Sequence, residues 1–127
     1  VLISVNEQDR PYSADIAKSF YNDGFEIFAT GQTAAAIENA GIPVKRVLKN
    51  YEGRPNVEDV ITNRQVSLVI NSPIGKGTGH DDAYVRRAAI RARIPYITTV
   101  AGAMAAAEGI HELKEHGNGQ IHSLQEL

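Results

Sequence analysis

Not one of the 127 residues is cysteine, so disulfide frameworks, thiolate metal sites and cysteine nucleophiles are all excluded. A reducing compartment accords with that composition. An excess of charge of either sign is also missing. Thirteen Lys+Arg against fifteen Asp+Glu leave a net −2, which gives no general attraction to nucleic acid or to an anionic membrane surface. Long apolar runs are absent too: the longest weakly polar stretch, 97–107, holds two Thr and a Gly and is far too short to cross a bilayer. No signal-peptide pattern opens the sequence. What is present, 43% hydrophobic and 22% charged residues, is the make-up of one ordinary globular domain. Val1 stands directly in the strand-like run Val1-Leu2-Ile3-Ser4-Val5, and the expectation is a single domain over 1–127 that is a fragment of a longer chain.

Short runs of β-branched and aromatic residues fall at 1–5, 25–29, 44–48, 66–70 and 96–100. Helix-like segments lie between and after them, at 11–23, 33–40, 55–64, 81–93 and 101–115. Strand alternating with helix predicts an α/β fold, a parallel sheet covered on both faces. Pro11 suits a first helical turn, and Gly24 and Gly41 fall where helix ends need a left-handed residue. Ile16, Ala17 and Phe20 give one helix its apolar stripe, and Val57, Val60 and Ile61 give another. The nearly unbroken apolar run Val66-Ser67-Leu68-Val69-Ile70 predicts a central strand buried on both sides. The tail 120–127 is expected to add a short sixth strand or to pack loosely.

Ligands of such sheets bind beyond the carboxyl ends of the strands, which singles out the loops 6–10, 30–33, 49–55, 71–81 and 98–102. Ala29-Thr30-Gly31-Gln32-Thr33 joins a strand to a helix. Two hydroxyls, a permissive Gly and unpaired helix N–H groups form a small anion cradle there, or Thr30 and Thr33 only cap the helix. Arg10 and Lys49 are cations at neighbouring loop ends and are either phosphate partners or solvated charges.

The segment Asn71-Ser72-Pro73-Ile74-Gly75-Lys76-Gly77-Thr78-Gly79-His80-Asp81-Asp82 fails as a P-loop, because Ile70 stands where the first Gly belongs. It fails as a dinucleotide fingerprint as well, since His80 occupies the last Gly position. Asn71 with Asp81 or Asp82 could grip ribose hydroxyls, and the two acids also suit a helix start. His111-Glu112-Leu113-Lys114-Glu115-His116 spaces its histidines five apart rather than four, which takes them off a common face and leaves no metal site. Thr98-Thr99 ends the last core strand, where β-propensity is one role and a hydroxyl contact to a ligand is another.

In order along the chain, these segments resemble the methylglyoxal-synthase-like domains, from Leu2 to beyond Thr99. Within that superfamily the chain is most similar to the carboxy-terminal allosteric domains of carbamoyl phosphate synthetase large subunits. The segments that carry the resemblance are Leu2-Ile3-Ser4-Val5, Asp23-Gly24-Phe25-Glu26-Ile27-Phe28-Ala29-Thr30, Ala40-Gly41-Ile42 and Lys49-Asn50-Tyr51-Glu52-Gly53-Arg54-Pro55. Val69-Ile70-Asn71, Val85-Arg86-Arg87-Ala88-Ala89, Ile97-Thr98-Thr99 and the ending His122-Ser123-Leu124-Gln125-Glu126-Leu127 complete it.

The resemblance implies a three-layer α/β/α fold with a five-stranded parallel sheet of order 3-2-1-4-5. It implies a regulatory domain without catalytic residues or metal ligands of its own, binding UMP as inhibitor and IMP as activator. Arg10, Thr30, Thr33 and Lys49 match phosphate ligands, Asn71 and Asp81 the ribose and base side, and Thr98 one wall of an ornithine site. Arg10 stands where the bacterial pattern has Lys, which keeps the charge and changes its geometry. Pro73 stands where that pattern has a Thr hydroxyl. The implied parent is a cytoplasmic ligase using ATP and Mg, built from the rest of the large subunit and a glutaminase small subunit. It would supply carbamoyl phosphate to pyrimidine and arginine pathways.

The alternative is methylglyoxal synthase, acting on dihydroxyacetone phosphate, whose His-Asp pair resembles His80-Asp81. Its general base is the Asp of a Gly-Gly-Asp segment, and that region reads Gly53-Arg54-Pro55 here, with no carboxylate to take the proton. The cyclohydrolase half of the purine bifunctional enzyme shares the fold, but no segment specifically matches it.

Overall fold

The computed structural model describes residues 1–48, 56–72 and 79–115, with residues 79–83 described by their backbone alone. Strands and helices alternate throughout. β1 is Leu2–Ser4, α1 Arg10–Asn22, β2 Phe28–Thr30, α2 Gly31–Asn39 and β3 Lys45–Val47. α3 is Val57–Thr62, β4 Val69–Asn71, α4 Gly79–Ala92, β5 Tyr96–Ile97 and α5 Val100–Glu115. The five strands form one parallel sheet of order β3-β2-β1-β4-β5. Leu2 registers with Phe28 on one side and Val69 on the other, which makes β1 the centre of the sheet.

Alternate residues of the central strands feed two cores. Ile3, Ala29 and Ile70 point to the layer of α1, α2 and α5, where Ile16, Phe20, Ile37 and Ala103 close over them. Leu2, Phe28 and Val69 point to the layer of α3 and α4, against Val57, Val60, Ile61, Val85 and Ala89. Burial on both faces is why β1 and β4 carry so little polarity. β3, at the edge, exposes Lys45 and Arg46, and charged residues there discourage pairing with another sheet.

Helices α1 to α4 all end in one hydrogen-bond pattern, in which the two residues past the cap donate back into the last turn. Gly24 donates to Tyr21 and Phe25 to Phe20; Gly41 donates to Glu38 and Ile42 to Ile37. Arg64 donates to Ile61 and Gln65 to Val60; Arg93 donates to Ile90 and Ile94 to Ala89. This Schellman geometry puts the first residue of each pair in the left-handed region, with φ of 94°, 87°, 56° and 59°. Gly24 and Gly41 hold the positions expected of them. At the ends of α3 and α4 an arginine takes the place that glycine fills at no steric cost.

Three expected strands shift. The run at 25–29 pairs only over 28–30, because Phe25 is the apolar clasp of the α1 cap, edge-to-face on Phe20 at 5.7 Å. Val66 and Leu68 are buried as expected, yet the ladder proper is 69–71, since burial does not require strand pairing. β5 stops at Ile97 rather than residue 100, because Thr99 turns the chain and its Oγ1 accepts the Gly102 N–H at the start of α5. The helix expected at 33–40 starts at Gly31. The expected tail strand at 120–127 lies outside the described residues. No described helix is long and apolar enough to cross a membrane.

Candidate functional site

The sheet order reverses at β1, from which the chain steps outward to β2 and β3 and then returns to β4 on the other side. The crevice favoured for ligands therefore lies beyond the carboxyl ends of β1 and β4, flanked by β2. The chain delivers Ser4 to Asn6, Thr30 to Thr33 and Asn71 to Ser72 to that edge, with Arg10 opening α1 just beyond β1.

Thr30 ends β2 and is buried. Its hydroxyl lies 2.9 Å from Ser4 Oγ instead of capping the helix, and the N-terminus of α2 has no side-chain cap. Thr33 is equally buried; its Oγ1 accepts the Val5 N–H at 3.3 Å and donates to the Val5 carbonyl at 3.4 Å. The reading in which these threonines only cap α2 is therefore corrected: both hydroxyls reach sideways to β1. The nine-residue helix α2 presents its first N–H groups with no side chain from its own cap in front of them, and an N-terminus of that kind attracts anions. Gly31, at φ 42°, has no heavy atom among the described residues within 4 Å of where a Cβ would project.

Across the crevice, the Asn6 N–H donates to Ser72 Oγ at 2.8 Å, and the Ser72 N–H donates to the Ser4 carbonyl at 3.2 Å. Asn6 Oδ1 accepts the Asp9 N–H at 2.8 Å and so shapes the turn into α1. Asn71 is buried and donates through Nδ2 to Tyr96 Oη at 2.8 Å, which ties β4 to β5. Arg10 is half-buried, and its Nε is a buried donor with no partner among the described residues. Buried polar groups are nearly always paired, so an orphaned guanidinium donor at this end of the sheet invites an oxyanion.

The structure thus brings Thr30, Thr33 and Asn71 to one edge, with α1 starting from Arg10 at the same end of the sheet. Thr98 is exposed beyond β5, two strands from β1. Asp81 stands in the first turn of α4, where only the backbone is described, as it is for His80. Lys49 and the Gly53-Arg54-Pro55 segment lie outside the described residues. Ser4, Asn6, Ser72 and Tyr96 were missed by the sequence reading, although a polar residue closing each apolar central strand was the available signal.

His111 belongs to none of this. Its Nδ1 lies 3.0 Å from Asp23 Oδ1 and its Nε2 3.4 Å from Glu115. The bond to Asp23 and that carboxylate's charge raise the imidazole pKa above its ordinary value. A cleft of about 490 Å3 opens beside it between α1 and α5, floored by Ile16 and Ala107 and rimmed by Asp23 and Glu108. Its two carboxylates, Asp23 and Glu108, make it a poor home for a phosphate.

Residues 13–98 match the family model of the MGS-like domain. Among curated proteins, the C-terminal section of the carbamoyl phosphate synthase large chain of Aquifex aeolicus is 44% identical, covering 100% of this chain and 24% of that protein. The large chain of Acidobacterium capsulatum is 46% identical over 87% of this chain and 10% of its own length. The chloroplastic arginine-specific large chain of Arabidopsis thaliana is 44% identical over 90% of this chain and 10% of its own length. The chain therefore spans about a quarter or less of the length of these relatives.

Proposed function

The chain belongs to the MGS-like domain family, and from that premise we propose that it is the effector-binding domain of a carbamoyl phosphate synthase large chain. Its ligand is a nucleoside monophosphate, UMP or IMP, held by the phosphate. The observation that carries the reading is the orphaned Arg10 Nε at the same sheet edge as the uncapped N-terminus of α2. The names of the relatives support the choice of parent protein, and the family match supports a shared pocket.

In this account the phosphate sits before Gly31, Gln32 and Thr33, where backbone N–H groups and the helix dipole favour negative charge. Thr30 and Thr33 turn their hydroxyls from β1 to the phosphate oxygens, while Arg10 and Lys49 supply charge-assisted bonds. Asn71 and Asp81 serve the ribose and base, and Thr98 forms one wall of an ornithine site completed by other parts of the parent. Those parts carry the ATP and Mg chemistry and meet the glutaminase subunit, so this domain regulates and does not catalyse. The nucleotide acts only through a difference in affinity between two states of the parent, which bounds the size of its effect.

Calorimetric titration with UMP, IMP and inorganic phosphate tests the reading. One nucleotide clearly tighter than phosphate is expected. Lys49→Ala should weaken it by on the order of 1.5–3 kcal/mol, as for a hydrogen bond to a charged group. Phosphate binding without nucleotide preference, accompanied by methylglyoxal formation from dihydroxyacetone phosphate, would overturn it in favour of the synthase.

A further inference from the structure

Arginines cluster in the second half of α4 and just beyond it. From Ala83 to Ala107 there is no Asp or Glu, while Arg86, Arg87, Arg91 and Arg93 all fall within that stretch of a chain whose net charge is −2. Arg64 joins them from the end of α3. On β3, by contrast, Lys45 pairs with Glu26 and Arg46 with Glu38. None of the five arginines has an ion pair among the described residues.

Two of them share a cavity. A cleft of about 290 Å3 between α3 and α4 is lined by Glu58, Thr62, Arg64, Ala88, Arg91 and Ala92. Ala88 and Ala92 of α4 line it with small side chains, and Arg64 and Arg91 line it with charged ones. Arg64 holds its place at a cost, since it occupies a left-handed position at φ 56° where the equivalent residues of α1 and α2 are Gly24 and Gly41. A non-glycine residue in a strained backbone well is a pointer to function when its side chain also lines a cavity. With two arginines and one carboxylate the lining carries a net positive charge, which an anion would balance.

We propose that the α3–α4 cleft is a second anion site, in which Arg64 and Arg91 together bind a small oxyanion, a phosphate or carboxylate group, with Thr62 as an additional hydroxyl partner. Glu58 confines the anion to the arginine end. The site lies at the opposite edge of the sheet from Thr30 and Thr33, because in a parallel α/β unit the helices return towards the strand amino ends. It does not depend on the identity of the ligand at the first site.

The experiment is amide and arginine Nε–H NMR of the 127-residue chain, titrated separately with inorganic phosphate and with citrate. Saturable shifts at residues 62–64 and 88–92 are expected, read in the same spectrum as any response at 31–33. Arg91→Ala, on an exposed helical position, should fold normally and weaken the anion about tenfold. Arg64→Gly should also weaken it while keeping or raising the melting temperature, since glycine relieves the left-handed backbone. Arg93→Gly changes a left-handed residue outside the cleft lining and should leave binding as it was. A response to phosphate alone, to citrate alone or to both identifies the oxyanion class. The proposal is overturned if neither anion gives saturable shifts at 62–64 and 88–92, or if Arg64→Gly and Arg91→Ala bind as tightly as the parent.

Discussion

Asn56 shows how much a single side chain does at a helix start. Its Oδ1 accepts the Asp59 N–H at 3.0 Å, while Asp59 Oδ2 accepts the Asn56 N–H at 3.1 Å, a reciprocal capping box at the start of α3. α3 has only six residues, so it depends on that cap and on the burial of Val57, Val60 and Ile61. Asn56→Ala should cost about 1 kcal/mol in urea unfolding. A cost near zero would mean that packing alone holds the helix. Thr33 makes a comparable point, since its type was legible as a site residue while its partner, the backbone of Val5, was not. The identity of a hydroxyl can be read from a strand–Gly–helix junction, but where it points depends on which strand lies alongside. Arg10 was legible as a cation at a loop end. That its Nε would be buried without a partner follows only from packing.

Between elements, the link from α1 to α5 runs through His111 and Asp23. Asp23 holds the imidazole pKa above its usual value, and Glu115 and Glu112 act in the same direction. The folded state therefore binds the proton more tightly, so the tie contributes below the unfolded pKa and is lost as pH rises through the raised one. Asp23→Asn should bring the His111 titration, followed by its ring proton shifts, back towards the ordinary histidine value. An unchanged midpoint would remove Asp23 as the cause. The helices were readable because their stripes and caps are local. Gly24, Gly41 and Pro11 all stand where the sequence predicts them. The strands were readable in number and order of appearance but not in extent. Phe25 carries the composition of a strand and serves a helix cap, and Thr99 carries it and serves a helix start.

In the molecule as a whole, the two cores meet across a sheet whose first residue is itself buried. The Val1 nitrogen donates to the Glu26 carbonyl at 2.8 Å, which ties the start of β1 to the segment leading into β2.

The parallel sheet itself follows from the alternation of strands and helices. Its order, 3-2-1-4-5, came with the family resemblance, because nothing local to β4 says that it returns beside β1. Yet that return is what builds the crevice, by setting Ser72 against Ser4 and Asn6.

The central claim is that a nucleotide phosphate binds at the strand carboxyl edge, before α2. The most direct measurement is the calorimetric affinity of UMP and IMP for the parent chain, for Thr33→Val and for Arg64→Gly, side by side. The account predicts that Thr33→Val weakens whichever nucleotide binds by about tenfold, the loss of one hydrogen bond to a charged group, while Arg64→Gly leaves it unchanged. Equal affinity in Thr33→Val and the parent, or a loss confined to Arg64→Gly, would contradict it and move the nucleotide to the other edge of the sheet.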